Sequence, residues 1–213
     1  MKALVKSTKN GKKEKIESIF HSKQNMIKLS DWETNMGVDF LKKVGIKKGY
    51  NILDFGCNDG NYTIPAAIIT RENGSVFAID ENEHSLRKIA DKAEVLELNN
   101  IKTINSNGDL SFDFTDNFFD FIMLYDVLHY LNSQQRNILY KEIYRILQIE
   151  GILSIYPKHT IGNFPLMELR NVSVQELIDE IENYGFEFKG KIFGELSHDN
   201  YLEEGYILNF SKM

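Results

Sequence analysis

The chain has 213 residues, 42% of them hydrophobic, and one cysteine; this suits one globular domain with a sizeable core in a reducing compartment and excludes an intramolecular disulfide framework. No apolar run is long enough to span a bilayer, so no membrane association is expected, and cytoplasm is the default. The net charge of −6 is uneven: residues 1–28 hold eight lysines against Glu14 and Glu17, a local +6 over a body of −12; the leader reads first as a solvated, partly disordered segment without a signal peptide and alternatively as a basic arm for RNA, membrane or an anionic partner, while the acidic body argues against a nucleic-acid binder.

Spacing predicts a helix over Asp31 to Val44, with Trp32, Met36, Phe40 and Val44 on one face, broken by Gly45 and Gly49. Residues 51–55 read as a first strand. Residues 62–69 read as a crossover helix, with Pro65 confined to its first turn, where a missing N–H is tolerated. A second strand is predicted over 75–79. A helix follows over 85–98, in which Leu86, Ile89, Ala90, Ala93 and Leu96 recur at helical spacing. A third strand covers 101–105. The fourth, 119–125, is nearly all apolar, as a strand covered on both faces should be. A helix over 133–147 turns Leu139, Ile143, Ile146 and Leu147 inward, and a fifth strand covers 151–156. Ser173 and Glu176 are spaced as a capping box for a further helix, which Gly185 ends. The late segments 186–193 and 206–210 read as strands able to pair antiparallel. There are no internal repeats and no sign of a second domain, so 29–213 is read as one domain behind the leader. Strand–helix alternation implies a parallel sheet with right-handed crossovers.

Residues 52–60 are the most informative: Ile52-Leu53-Asp54-Phe55-Gly56-Cys57-Asn58-Asp59-Gly60. An apolar strand ends in an acid and opens into a tight glycine turn. A second strand ends at Asp80, twenty residues past Gly60. That is the layout of a nucleotide pocket at the carboxyl end of a parallel sheet. A dinucleotide loop counted from Gly56 would need glycines at 58 and 61, and both positions are asparagine. This disfavours an NAD-binding oxidoreductase, the less favoured alternative.

The stretch resembles motif I of the class I S-adenosylmethionine (SAM)-dependent methyltransferases, with Asp54, Gly56, Asn58 and Gly60 at the acid and glycine positions. Asn58 departs from the glycine pattern, and asparagine is the residue that best tolerates left-handed backbone there. The resemblance implies a Rossmann-like α/β fold: a three-layer sandwich around a seven-stranded, mostly parallel sheet whose final strand is antiparallel. It also implies a SAM site formed by Asp54, Gly56, Cys57, Asn58, Gly60, Asp80, Glu81, Asn107, Gly108, Asp109, Leu110 and Tyr125. Asp80 would accept from the ribose hydroxyls, with Glu81 as its neighbour if the register slips. Asp109 would read the adenine amine beside a backbone N–H, and Asp54 would orient the loop. Asp120 reads as structural, and Leu147 to Gly151 as a tight turn on the far side of the sheet.

The expected acceptor is a small molecule, held in a pocket lined by Trp32, Met36, Tyr125, His129, Tyr156 and His159. Candidates for a general base are His129, His159 and Tyr125. No metal site is expected. A single cysteine disfavours arsenite-type methylation, and the pattern is closest in flavour to methylases of quinone biosynthesis. The alternative class is a non-catalytic SAM-binding or interaction protein on the same scaffold. A monomer or homodimer is expected.

Overall fold

A computed structural model describes Lys28 and residues 30–199 and 201–213; apart from Lys28, the lysine-rich leader lies outside the described residues. Seven strands form one sheet: β1 (Asn51–Phe55), β2 (Ser75–Asp80), β3 (Ile101–Asn105), β4 (Phe119–Tyr125), β5 (Leu147–Tyr156), β6 (Phe186–His198) and β7 (Tyr201–Lys212). Their order is β3-β2-β1-β4-β5-β7-β6. β1 through β5 pair in parallel, and β7 runs antiparallel between β5 and β6. The order reverses beside β1, between β2 and β4, which is where an open α/β sheet forms its ligand crevice.

The helices are α1 (Gly37–Val44), α2 (Thr63–Thr70), α3 (Glu83–Val95), α4 (Ser133–Ile146) and α5 (Val174–Glu182). They form the two outer layers. Side chains alternate along a strand, so β4 sends Phe121, Met123 and Tyr125 to one face and Ile122 and Leu124 to the other. The first set packs with Leu41 of α1 and with Ala66 and Ala67 of α2. The second packs with Leu139 and Ile143 of α4 and with Leu177 and Ile181 of α5. Both faces are covered, which is why β4 is apolar throughout. Asp120, at the start of β4, accepts the N–H of Asn51 at 2.7 Å and so is structural.

Four elements depart from the sequence expectation. β5 begins at Leu147, so the segment Leu147 to Gly151, expected as a tight turn, belongs to the strand, with Glu150 at φ 63°. The first helix begins as a π-turn, Trp32–Met36, before the α1 geometry takes over. α3 starts at Glu83 rather than Ser85, because the Asn82 side chain accepts from the N–H groups of His84 and Ser85. The closing hairpin is much longer than expected: β6 and β7 pair from Phe186↔Lys212 out to His198↔Tyr201. Its far end overhangs the carboxyl end of the sheet. The capping box of Ser173 and Glu176 forms as expected, and a second joins Asn132 and Gln135 at α4.

Candidate cofactor and acceptor site

The turn after β1 is built on two glycines in left-handed conformations, Gly56 at φ 74° and Gly60 at φ 87°. A Cβ at Gly56 would meet Val127 Cγ2 at 2.6 Å, and one at Gly60 would meet Ile89 Cγ1 at 2.7 Å. Between them Asn58 takes φ 43°, the conformation asparagine best tolerates after glycine. The N–H groups of Gly56 and Cys57 donate to the Ile79 carbonyl at 2.8 and 3.1 Å, anchoring the turn to β2.

Asp80 closes the arrangement. Its Oδ2 accepts the N–H of Asn58 and its Oδ1 the N–H of Asn82, each at 2.8 Å. Each oxygen retains acceptor capacity, as a carboxylate carries about four lone-pair sites. Behind the turn, Asp54 is buried and accepts from Thr63 Oγ1 at 2.6 Å. Burial pushes its carboxyl up to about 7, against the pull of that hydrogen bond and with help from the Asp80 charge.

A cleft of about 540 Å³ opens at these strand ends. Of the cofactor residues expected from sequence, Gly56, Cys57, Asn58, Asp80, Glu81, Gly108, Asp109, Leu110 and Tyr125 line it. Asp54, Gly60 and Asn107 do not; the first two shape the turn from behind, and Asn107 holds a left-handed bend at φ 50°. The lining adds residues that sequence reasoning missed: Asn61, Tyr62, Asp126 and Val127, with Ser197 and Asp199 from the hairpin tip. The tip is tied to the turn: Asn61 Nδ2 donates to Ser197 Oγ at 2.8 Å and to the Asp199 carbonyl at 3.1 Å, and Tyr62 Oη donates to the Ser197 carbonyl at 2.8 Å.

The acceptor residues expected from sequence are dispersed. Of Trp32, Met36, Tyr125, His129, Tyr156 and His159, the structure puts only Tyr125 on the cleft lining. Trp32 is a core residue: its indole N–H satisfies the Asn61 carbonyl at 3.0 Å, and its ring meets Tyr62 edge-on at 5.7 Å. Met36 leaves the π-turn toward solvent. Tyr156 donates to Glu203 at 2.7 Å. Tyr125 is paired with Ser154 Oγ at 2.7 Å, and burial raises its phenol, so it is a poor base.

The histidines gather around Asp126, just past β4. His198, from the hairpin tip, bonds Asp126 Oδ2 through Nδ1. His129 Nδ1 lies 3.7 Å from Asp126 Oδ1. The rings of His129 and His159 are 4.4 Å apart, and His159 Nδ1 meets the Pro165 carbonyl at 3.1 Å. Burial, reinforced by His159 and His198, pushes the His129 imidazole down to about 3. Burial raises the Asp126 carboxyl despite the opposing effect of His198. At neutral pH His129 is therefore uncharged and weakly basic, the reverse of a poised general base. Donor atoms of Asp126, His129 and His159 all lie within 4.8 Å of one another, as do those of Asp126, His198 and Asp199.

Residues 52–151 match the family described as "Methyltransferase domain". The match takes in 100 of the 213 residues, slightly less than half of the chain, and marks that stretch as similar to a methyltransferase domain. The chain is 28% identical over 113 residues to the demethylmenaquinone methyltransferase of Geobacillus sp. (strain WCH70), covering 53% of this chain and 47% of that protein. It thus spans about half the length of that curated relative. Among solved structures, it is similar to a SAM-dependent methyltransferase from Aquifex aeolicus, with TM-score 0.64, 22% identity and coverage of 86% and 96% of the two chains. It is also similar to one from Methanosarcina mazei, with TM-score 0.62, 19% identity and coverage of 81% and 97%. At these identities the structural likeness is one of fold. A match to a methyltransferase domain favours SAM over NAD as the cofactor. The cleft suits that group: a turn without side chains at Gly56, a carboxylate with spare acceptor capacity at Asp80, and a second acid at Asp109 across the lining.

Proposed function

We propose that this protein transfers the sulfonium methyl of SAM to a small-molecule acceptor, with residues 29–213 acting as one catalytic unit. The observation that carries the reading is the Asn58–Asp80 pairing at the switch point of the sheet: a left-handed turn held open beside a ribose-accepting carboxylate. When bound, SAM supplies an activated methyl, so the protein's task is positioning and exclusion of water. Asp80 and Asp109 hold the polar groups of the donor. The rings of Tyr62 and Tyr125, 4.7 Å apart, make an aromatic wall at the inner end of the cleft. His129 is buried and neutral, which favours positioning over general-base catalysis by this residue.

The relatives named demethylmenaquinone methyltransferase support a small, largely apolar aromatic acceptor. The acidic body argues against polyanions such as RNA. Among the described residues no helix is long and apolar enough to cross a membrane, and the proposed setting is the cytoplasm.

Calorimetry with SAM and with NAD, followed by mass spectrometry of hydroquinone and phenol acceptors incubated with protein and SAM, tests the proposal. The expected result is SAM binding, no NAD binding and an acceptor heavier by one methyl group. Tight NAD binding without SAM binding would overturn it. SAM binding without turnover on any acceptor would favour a binding protein on the same scaffold.

A further inference from the structure

We propose that Asp126, His129 and His159 form a site for one divalent first-row transition ion at the wall of the cleft. The three side chains come from the segments that follow β4 and β5, and their donor atoms converge within 4.8 Å. Three observations point to an ion rather than to a packed polar cluster.

The first is unmet bonding capacity. His129 is 1% exposed, and neither ring nitrogen has a hydrogen-bond partner among the described residues; the same holds for the buried Asp126 Oδ1. A neutral imidazole carries one donor and one acceptor, and buried groups of this kind are almost always paired. An ion between His129 Nδ1 and Asp126 Oδ1 would satisfy two of these three atoms.

The second is orientation. His159 Nδ1 meets the Pro165 carbonyl at 3.1 Å and must be the protonated nitrogen there, which leaves the Nε2 lone pair free. Asp126 is held by His198 on Oδ2, leaving Oδ1 toward His129. A backbone carbonyl behind a histidine ligand and a hydrogen-bond donor behind a carboxylate ligand are the outer partners that fix metal-binding side chains.

The third is spacing. Two ligand atoms each about 2.0–2.2 Å from one ion lie roughly 3–3.5 Å apart. His129 Nδ1 and Asp126 Oδ1, at 3.7 Å, need to close by only a few tenths of an ångström. Two imidazoles and one carboxylate suit Zn(II) or Fe(II), whereas Mg(II) and Ca(II) favour oxygen ligands. Asp126 itself lines the cleft, so the ion would keep coordination positions for water or for an oxygen of a bound molecule. The site stands on these residues alone and does not depend on methyl transfer.

The test uses tag-free full-length protein, stripped with a chelator and titrated with Zn(II) against a chromophoric competitor. Visible absorption of added Co(II) reports the ligand set. The expected result is one equivalent of Zn(II) and an imidazole-type Co(II) spectrum. His159→Gln and Asp126→Asn should each weaken Zn(II) binding on the order of 100-fold, and His84→Ala, on the exposed face of α3, should not. Zn(II) should raise the thermal midpoint of the parent protein and leave that of His159→Gln unchanged. Circular dichroism checks that the variants fold; should Asp126→Asn fail, His159→Gln decides. Substoichiometric Zn(II), or equal affinity in parent and His159→Gln, would overturn the site and leave an ordered water as the occupant bridging His129 and Asp126.

Discussion

Asp80 holds Asn58: the backbone N–H of Asn58 donates to Asp80 Oδ2 at 2.8 Å, joining the glycine turn to the end of β2. Asp80→Ala removes this tie together with the acceptor proposed for the ribose. Losing two hydrogen bonds to a charged acceptor costs on the order of 2–4 kcal/mol. SAM affinity measured by calorimetry should fall roughly 30-fold or more. An unchanged affinity would reject Asp80 as the ribose ligand.

Asn58→Gly should be mild. Glycine relieves the strain of φ 43° but loosens the unfolded chain, and these effects oppose each other. Ser85 Oγ loses a contact of 3.2 Å to Asn58 Oδ1 yet keeps Asp59 Oδ1 at 2.9 Å. Urea unfolding should shift by less than about 1 kcal/mol, and SAM affinity should be preserved. A large loss of affinity would show that the Asn58 side chain contacts the cofactor.

Gly60→Ala should be severe. The new Cβ would lie 2.7 Å from Ile89 Cγ1, within the backbone of a left-handed residue. Overpacking costs about 1–3 kcal/mol and the left-handed conformation about 1 more. A loss of about 2–4 kcal/mol is expected in urea unfolding at constant m-value. A variant as stable as the parent would mean that α3 moves freely against the turn.

Asp54 makes stability depend on pH. Its carboxyl is raised from 3.8 to about 7 in the folded state, mainly by burial. Between these values the folded state keeps a proton that the unfolded state has lost. The contribution is therefore full below the unfolded value and disappears as pH rises through about 7. Asp54→Asn cannot ionise, so its stability relative to the parent should increase from pH 5 to pH 8, by roughly 3 kcal/mol. Parallel pH–stability curves for the two proteins would show that Asp54 is ionised throughout.

The turn after β1 and the strand end at Asp80 were legible because they are local. Asp54, Gly56, Asn58 and Gly60 sit within seven consecutive positions, and Asp80 ends a strand whose alternation is plain. The left-handed turn at Asn58 follows from residue type alone. The cluster around Asp126 was not legible, because it is assembled by tertiary packing. His198 lies 72 positions from Asp126 and reaches it only through the length of the β6–β7 hairpin. One signal was available: Asp199-Asn200 is a turn-forming pair between alternating segments, and counting outward from it extends both strands. Trp32 was misplaced for another reason. Helical spacing shows which face is apolar but not whether that face meets a ligand or the core, and the π-turn rotates Trp32 onto Tyr62.

The bonds from Asn61 and Tyr62 to Ser197 and Asp199 make the turn after β1 and the tip of the β6–β7 hairpin a single structural unit. A homologue's hairpin grafted here to change acceptor preference would arrive without its counterpart at position 61 or 62. It would disturb the turn proposed to hold SAM before it touched any acceptor. Exchange of specificity by recombination should therefore succeed only when the crossover carries residues 61–62 and 197–199 together, although 135 positions of sequence separate Tyr62 from Ser197.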